Sequence, residues 1–172
     1  MKLGKMFSVK FLSHKDVTSS YLDQIIAVKT AAWPYGYDKQ VEWIKNNLSG
    51  DDVHVILTDN HHAVAYLNLI DIQLEIDNNT IHGFGIGNVC ALEKGKGHGK
   101  IIIEKTNAYL LQKNTIGLLF CKEALLKFYS RLDWKYVDSN KLHYEFDTKN
   151  IETMIYNNNI DFKDFHYKGL SF

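Results

Sequence analysis

A chain of 172 residues is long enough for one domain with a substantial core and too short for two ordinary ones. Twenty basic side chains against twenty acidic ones leave no net field to hold nucleic acid or a membrane surface, so neither partner is expected. Apolar residues at 45% and charged residues at 23% describe an ordinary soluble composition. The two cysteines, Cys90 and Cys121, lie inside apolar runs and read as reduced, buried thiols rather than a disulfide framework, and no metal is expected.

The opening stretch, Met1 to Leu12, has no long apolar run, and no segment approaches the length of a membrane span; a cytoplasmic location is the expectation. Met6 to Leu12 alternates as a first strand through Phe7, Val9 and Phe11, and Ser13 to Asp16 reads as a turn. Ser19 or Ser20 is placed to cap a helix over Tyr21 to Ala32, with Leu22, Ile25, Ile26 and Lys29 on one face. Trp33-Pro34-Tyr35-Gly36-Tyr37 breaks it. Asp38 then caps a shorter helix, Lys39 to Leu48, with Val41, Ile44 and Leu48 inward.

Val53 to Thr58 reads as a strand, Asp59 to His62 as a hairpin turn, and Ala63 to Ile76 as a long strand that alternates from Tyr66 onward. Its alternation puts Leu67, Leu69, Asp71, Gln73 and Glu75 on one face, which gathers the acidic pair Asp71 and Glu75. After a turn at Asp77 to Thr80, Ile81 to Leu92 forms a partner strand in which Gly83, Gly85 and Gly87 suggest a bulge or a close backbone approach. Lys100 to Gln112 has helical period, Thr115 to Cys121 reads as a strand buried on both faces, and Lys122 to Arg131 as a helix packing Ala124, Leu125, Phe128 and Tyr129 against it. Trp134 to Val137, Lys141 to Phe146 and Thr153 to Tyr156 are strand-like. The tail, Asn157 to Phe172, is polar with single aromatics, and reads either as a contact in a homodimer or as a cover for the sheet. The whole is a single mixed α/β domain, residues 1–172.

The stretch that carries chemistry is Lys94-Gly95-Lys96-Gly97-His98-Gly99-Lys100, between a strand and a helix. Glycines there permit positive φ, and successive N–H groups turning into a helix N-terminus form a nest for anions, to which Lys94, Lys96 and Lys100 add positive charge. It is not a P-loop, because Ile101 follows Lys100, and its glycine spacing does not fit a dinucleotide fingerprint. An anion nest and an ordinary strand-to-helix turn with solvated lysines are both open on these residues alone.

With its surroundings the chain resembles the GCN5-related N-acetyltransferases from about Phe7 to Tyr156. That family's Gln/Arg-x-x-Gly-x-Gly/Ala phrase stands here as Lys94-Gly95-Lys96-Gly97-His98-Gly99. Its Asn-x-x-Ala-x-x-x-x-Tyr phrase becomes Cys121 to Tyr129, and its Phe-Tyr-x-x-x-Gly-Phe/Trp phrase becomes Phe128 to Trp134. The departures are Lys94 for arginine or glutamine, Cys121 for asparagine and Asp133 for glycine.

The resemblance implies a central sheet of about seven strands flanked by about four helices. It also implies that the fourth and fifth strands splay, leaving the backbone of Val89, Cys90, Ala91 and Leu92 free for the pantetheine arm of acetyl-CoA. The pyrophosphate would then rest on the amides of Gly95 to Lys100, with Cys121, Ala124 and Phe128 also on the cofactor. The N–H of Cys90 or Ala91 would polarise the thioester carbonyl. Tyr129 matches the family's general acid, and Glu75, Asp71, His82 or Asn88 are candidates for the base, acting through water. Trp33, Tyr35 and Tyr37 fall where the family places acceptor-binding residues, or they plug the sheet edge. Asp71, Glu75 and Glu123 would favour a small cationic amine. The implied activity is N-acetyl transfer from acetyl-CoA to a primary amine; a non-catalytic acetyl-CoA-binding module on the same fold is the alternative.

Overall fold

A computed structural model describes residues 6–159 and 161–172. Residues 1–5, the head of the opening stretch, and residue 160 in the tail lie outside the described residues. The chain divides into two compact units, one made of the chain up to Ile70 with Asn88–Thr106, the other of Asp71–Gly87 with Asn107–Phe172.

The first unit holds β1 (Phe7–Ser13), α1 (Ser19–Ala32), α2 (Tyr37–Asn47), β2 (Val53–Asp59), β3 (His62–Ile76) as far as Ile70, the end of β4 (Asn79–Ala91) and the start of α3 (His98–Gln112). β1 and β2 pair antiparallel from Phe7↔Asp59 to Ser13↔Val53, and β2 pairs β3 with a register shift at Leu57/Thr58. The cap of α1 is Thr18 rather than Ser19 or Ser20, because Thr18 is the last residue with extended backbone and its Oγ1 accepts from the N–H of Tyr21. Likewise α2 begins at Tyr37 behind Gly36, and Asp38 lies inside the first turn, where its charge complements the helix dipole. Ile25, Ile26, Val28, Ile44, Leu48, Ile56, Tyr66 and Cys90 form this unit's core.

In the second unit Asp77 and Asn78 both take positive φ (47° and 64°), the two-residue turn that lets β3 fold back into β4. β4 then runs parallel to β5 (Ile116–Cys121), from Gly83↔Ile116 to Ile86↔Leu119, and the ladder stops there while β4 continues to Ala91. That is the splay of the fourth and fifth strands. The glycines of β4 serve close approach: a Cβ on Gly83 would lie 2.9 Å from Ile116 Cγ1, and one on Gly85 would collide with the ring of Phe172.

The helix expected over Lys122 to Arg131 is broken. A 3₁₀ turn at Glu123–Leu125 precedes a five-residue α4 (Leu126–Ser130), and Ala124 and Leu125 are exposed rather than packed inward. With no apolar face to bury before Leu126, nothing favours a full α-turn there. β6 (Lys135–Tyr136) and β7 (Leu142–Tyr144) trim the expected strands, and β8 (Glu152–Tyr156) starts one residue earlier than expected. The tail adds β9 (Phe165–Tyr167), which pairs with β3 at Glu75↔His166 and with β7 at His143↔His166. Hydrogen bonding orders the strands β1-β2-β3-β4-β5-β8-β6, with β7 and β9 off that path, so the described sheet has nine strands against the roughly seven expected. Trp134 is central to this unit's core; its indole N–H donates to Asn107 Oδ1 at 3.0 Å, and Asn107 Nδ2 donates to the carbonyl of Leu132 at 2.8 Å. Among the described residues no helix is long and apolar enough to cross a membrane.

Candidate active site

Within the first unit, β4 ends in the loop that opens α3. Gly95 and Gly97 take φ of 77° and 79°, and a Cβ at either would meet nothing within 4 Å. Their glycines therefore answer a backbone need and not a lack of space. The N–H of Ile101 closes the first helical bond to Gly97 at 3.1 Å. The amides of His98, Gly99 and Lys100 thus precede any intrahelical partner, and residues 93–97 before them are exposed. Lys96 and Lys100 make only loose surface pairs, with Glu93 at 3.8 Å and Glu104 at 3.7 Å. An exposed nest of amides with mobile lysines around it fits a pyrophosphate. The side chain of His98, unlike the rest of the loop, is buried. It is 5% exposed, packs edge-on to Phe7, and neither ring nitrogen has a partner among the described residues.

Upstream of the loop, Val89 and Ala91 are half-buried, Cys90 is buried and Leu92 is exposed. Burial pushes the Cys90 thiol up to about 12, with Lys29 pulling the other way, so it is an inert thiol at neutral pH. Asn88, near the end of the glycine-rich strand, takes left-handed backbone with φ 54°. Its side chain accepts from Lys29 Nζ at 2.8 Å and donates to Asn68 Oδ1 at 2.7 Å. Lys29 is 2% exposed and lies 3.9 Å from the ring centroid of Trp43; burial lowers its pKa to about 8.

A second buried chain runs beside it. His14 Nδ1 meets His54 Nε2 at 2.9 Å, and His54 Nδ1 meets Tyr66 Oη at 2.8 Å. Burial, then the charges of His14 and Lys29, lowers His54 to about 4. In the sequence, Lys29 lies on the apolar face of the first helix. A cation inside an apolar stripe was the available signal.

Of the aromatic segment, Trp33 packs on the first unit's core and its carbonyl accepts from the buried Gln40 side chain at 2.8 Å. Tyr35 is exposed, and Tyr37, also exposed, donates to Asp23 at 2.7 Å. The loop is therefore anchored at Trp33 and open at both tyrosines.

In the second unit, Tyr129 is 5% exposed; burial, then the neighbouring Cys121, raises its phenol well above the usual range. It keeps its proton at neutral pH. Burial, then Glu152, pushes Cys121 up to about 11. Phe128 is half-buried, with its ring edge-on to Tyr129. Asp133 takes φ 66°, so the backbone demand met by glycine in the family phrase persists here and an aspartate meets it. Asp71 and His82 come together at 2.6 Å, both about half exposed, whereas Glu75 is drawn into the ladder opposite His166. His82 precedes the last β4–β5 pair by four residues, roughly 13 Å of strand.

Comparison with known proteins agrees with this geometry. The model of the family described as an acetyltransferase (GNAT) domain matches residues 13–137. Among curated proteins no sequence matches significantly. Among solved structures, ElaA of Escherichia coli is 19% identical, with 88% of this chain and 99% of that one covered at a TM-score of 0.61. An acyl-CoA N-acyltransferase from Pseudomonas aeruginosa is also 19% identical over the same shares, at 0.63. The Bacillus subtilis N-acetyltransferase YlbP, solved in complex with coenzyme A, is 14% identical, with 92% and 99% covered at 0.56. At these identities the structures speak for the fold.

Proposed function

The chain belongs to the GCN5-related N-acetyltransferase family, and from that premise we propose that it carries the acetyl group of acetyl-CoA to a small cationic primary amine by direct attack of the amine. The observation that carries this reading is the exposed nest at Lys94–Lys100, with Gly95 and Gly97 in left-handed backbone ahead of the free amides of α3. Acetyl-CoA supplies an activated acetyl thioester. The amides of Gly95 to Lys100 bind its pyrophosphate, helped by Lys94, Lys96 and Lys100. The unladdered backbone of Val89 to Leu92 holds the pantetheine arm, and the N–H of Cys90 or Ala91 polarises the carbonyl. Cys121, Ala124 and Phe128 are carried over from the family phrase as cofactor contacts.

Tyr129, with its raised pKa, retains the proton that a departing thiolate needs. Eight residues of strand separate His82 from Cys90, roughly 26 Å when extended, so the Asp71–His82 pair is left without a role at the thioester. Tyr35 and Tyr37 offer ring faces to the acceptor beside the packed Trp33, and exposed Glu123 favours a cation. Free, buried Cys90 and Cys121 suit a cytoplasmic setting.

Calorimetric titration with acetyl-CoA and coenzyme A tests the reading. Gly97→Val forces a β-branched residue into left-handed backbone at a position where an added Cβ meets no neighbour within 4 Å, so affinity should fall roughly tenfold or more while the fold survives. Absence of binding by the wild-type chain at micromolar cofactor would sink the proposal.

A further inference from the structure

In the second unit, three side chains with metal-ligating atoms meet, none of them named above for the cofactor. His143 on β7 and His166 on β9 are register partners in a parallel pair, with rings stacked at 4.2 Å and 13° between their planes. Asp164, two residues before His166, brings Oδ1 to 3.4 Å from His143 Nε2. One donor atom from each of the three lies within 4.8 Å of the others. Half of the His143 side chain and more of Asp164 are open to solvent, so an ion has access.

The backbone beneath the cluster is fixed from both sides. Asp77 Oδ1 accepts from the amides of Lys163 and Asp164 at 2.8 and 2.9 Å, and the N–H of Asp77 returns a bond to the Asp164 carbonyl at 3.0 Å. His166 is paired with Glu75 of β3 on one side and His143 of β7 on the other. Donors held on paired strands lose little freedom on binding. Glu75, directly opposite His166, adds negative charge on the same face.

We propose that His143, Asp164 and His166 bind a zinc ion, with water in the fourth position. Two imidazoles and one carboxylate suit Zn²⁺, whereas Mg²⁺ and Ca²⁺ take oxygen donors. Ligand atoms shared by one zinc lie roughly 3.3 Å apart at bond lengths of about 2.1 Å. On binding, rotation of the side chains about their χ angles has to bring the donor atoms from their present spacing, within 4.8 Å of one another, to that distance. The ion would fasten β9 to β7, and so the C-terminal tail to the sheet.

The experiment uses the full, untagged chain, freed of metal by a chelator. Calorimetry with ZnCl₂ should give one ion per chain at micromolar affinity or better, and CoCl₂ should produce the intense visible bands of a four-coordinate site. His143→Gln and His166→Gln should each weaken Zn²⁺ roughly tenfold or more, with the His61→Ala control unchanged. Zn²⁺ should raise the melting temperature of the wild type and leave both glutamine variants where they were. With half of its side chain in solvent, His143 can be replaced without disturbing the core, and Asp164→Asn gives an independent loss. No stoichiometric binding at tens of micromolar ion, or wild-type affinity in both glutamine variants, would overturn the site.

Discussion

The ammonium of Lys29 donates to the side-chain carbonyl of Asn88 across 2.8 Å, joining α1 to a β4 residue whose own backbone is left-handed. The bond and the nearby Trp43 face partly replace the water that the cation has lost. They do not replace all of it, since the pKa falls from 10.5 to about 8.

That shift has a definite sign in stability. Between about pH 8 and 10.5 the unfolded chain holds a proton at Lys29 that the folded chain has released, so this residue's contribution rises with pH, by roughly 3 kcal/mol, and is lost as pH falls through that window. Lys29→Met removes it. The stability difference between variant and wild type should move toward the wild type by roughly 2–3 kcal/mol from about pH 7.5 to about pH 10. A difference independent of pH in urea denaturation would refute the assignment.

His54 acts in the acid range. Its pKa is 6.5 when unperturbed and about 4 in the fold, so its contribution is complete above pH 6.5 and disappears as pH falls toward 4. His54→Gln, which does not titrate, should lose roughly 3 kcal/mol less than the wild type over that interval. Denaturant midpoints at the two ends of the window measure it.

Gly117 and Gly95 separate two reasons for glycine. A Cβ at Gly117 would lie 2.7 Å from Trp134 Cη2 and 2.8 Å from Leu110 Cδ1, so Gly117→Ala should cost about 1–3 kcal/mol by crowding a buried indole. Gly95→Ala meets no neighbour and should cost about 1–2 kcal/mol through its φ of 77° alone. Thermal melts should therefore show both losses. Only Gly117→Ala should change the near-ultraviolet signal of Trp134.

Tyr129→Phe keeps the ring that packs on Phe128 and Trp134 and removes the proton. Thiol release over a panel of amines should slow roughly a hundredfold. Coenzyme A affinity should stay within a factor of about two, since a phenol acting on the leaving group contributes to the transition state rather than to ground-state binding. Equal turnover in the two proteins would remove Tyr129 from the reaction.

Local pattern was enough for the features that depend on neighbours in sequence. Alternation marked β3, the apolar stripe marked α1, and the glycines at 95 and 97 marked the nest, because periodicity and positive φ are written in adjacent residues. The family phrases reached further, to the splay after Ile86, since they encode spacing between such local signals. Tertiary structure alone decided the rest. β9 looks like single aromatics in a polar tail until β3 and β7 give its backbone partners, and strand pairing over ninety residues of sequence has no local signature. The 3₁₀ break before α4 follows from what its side chains have to pack against. Lys29 and His54 carry ordinary names in the sequence; their depressed pKa values come from the desolvation that packing imposes on a charge.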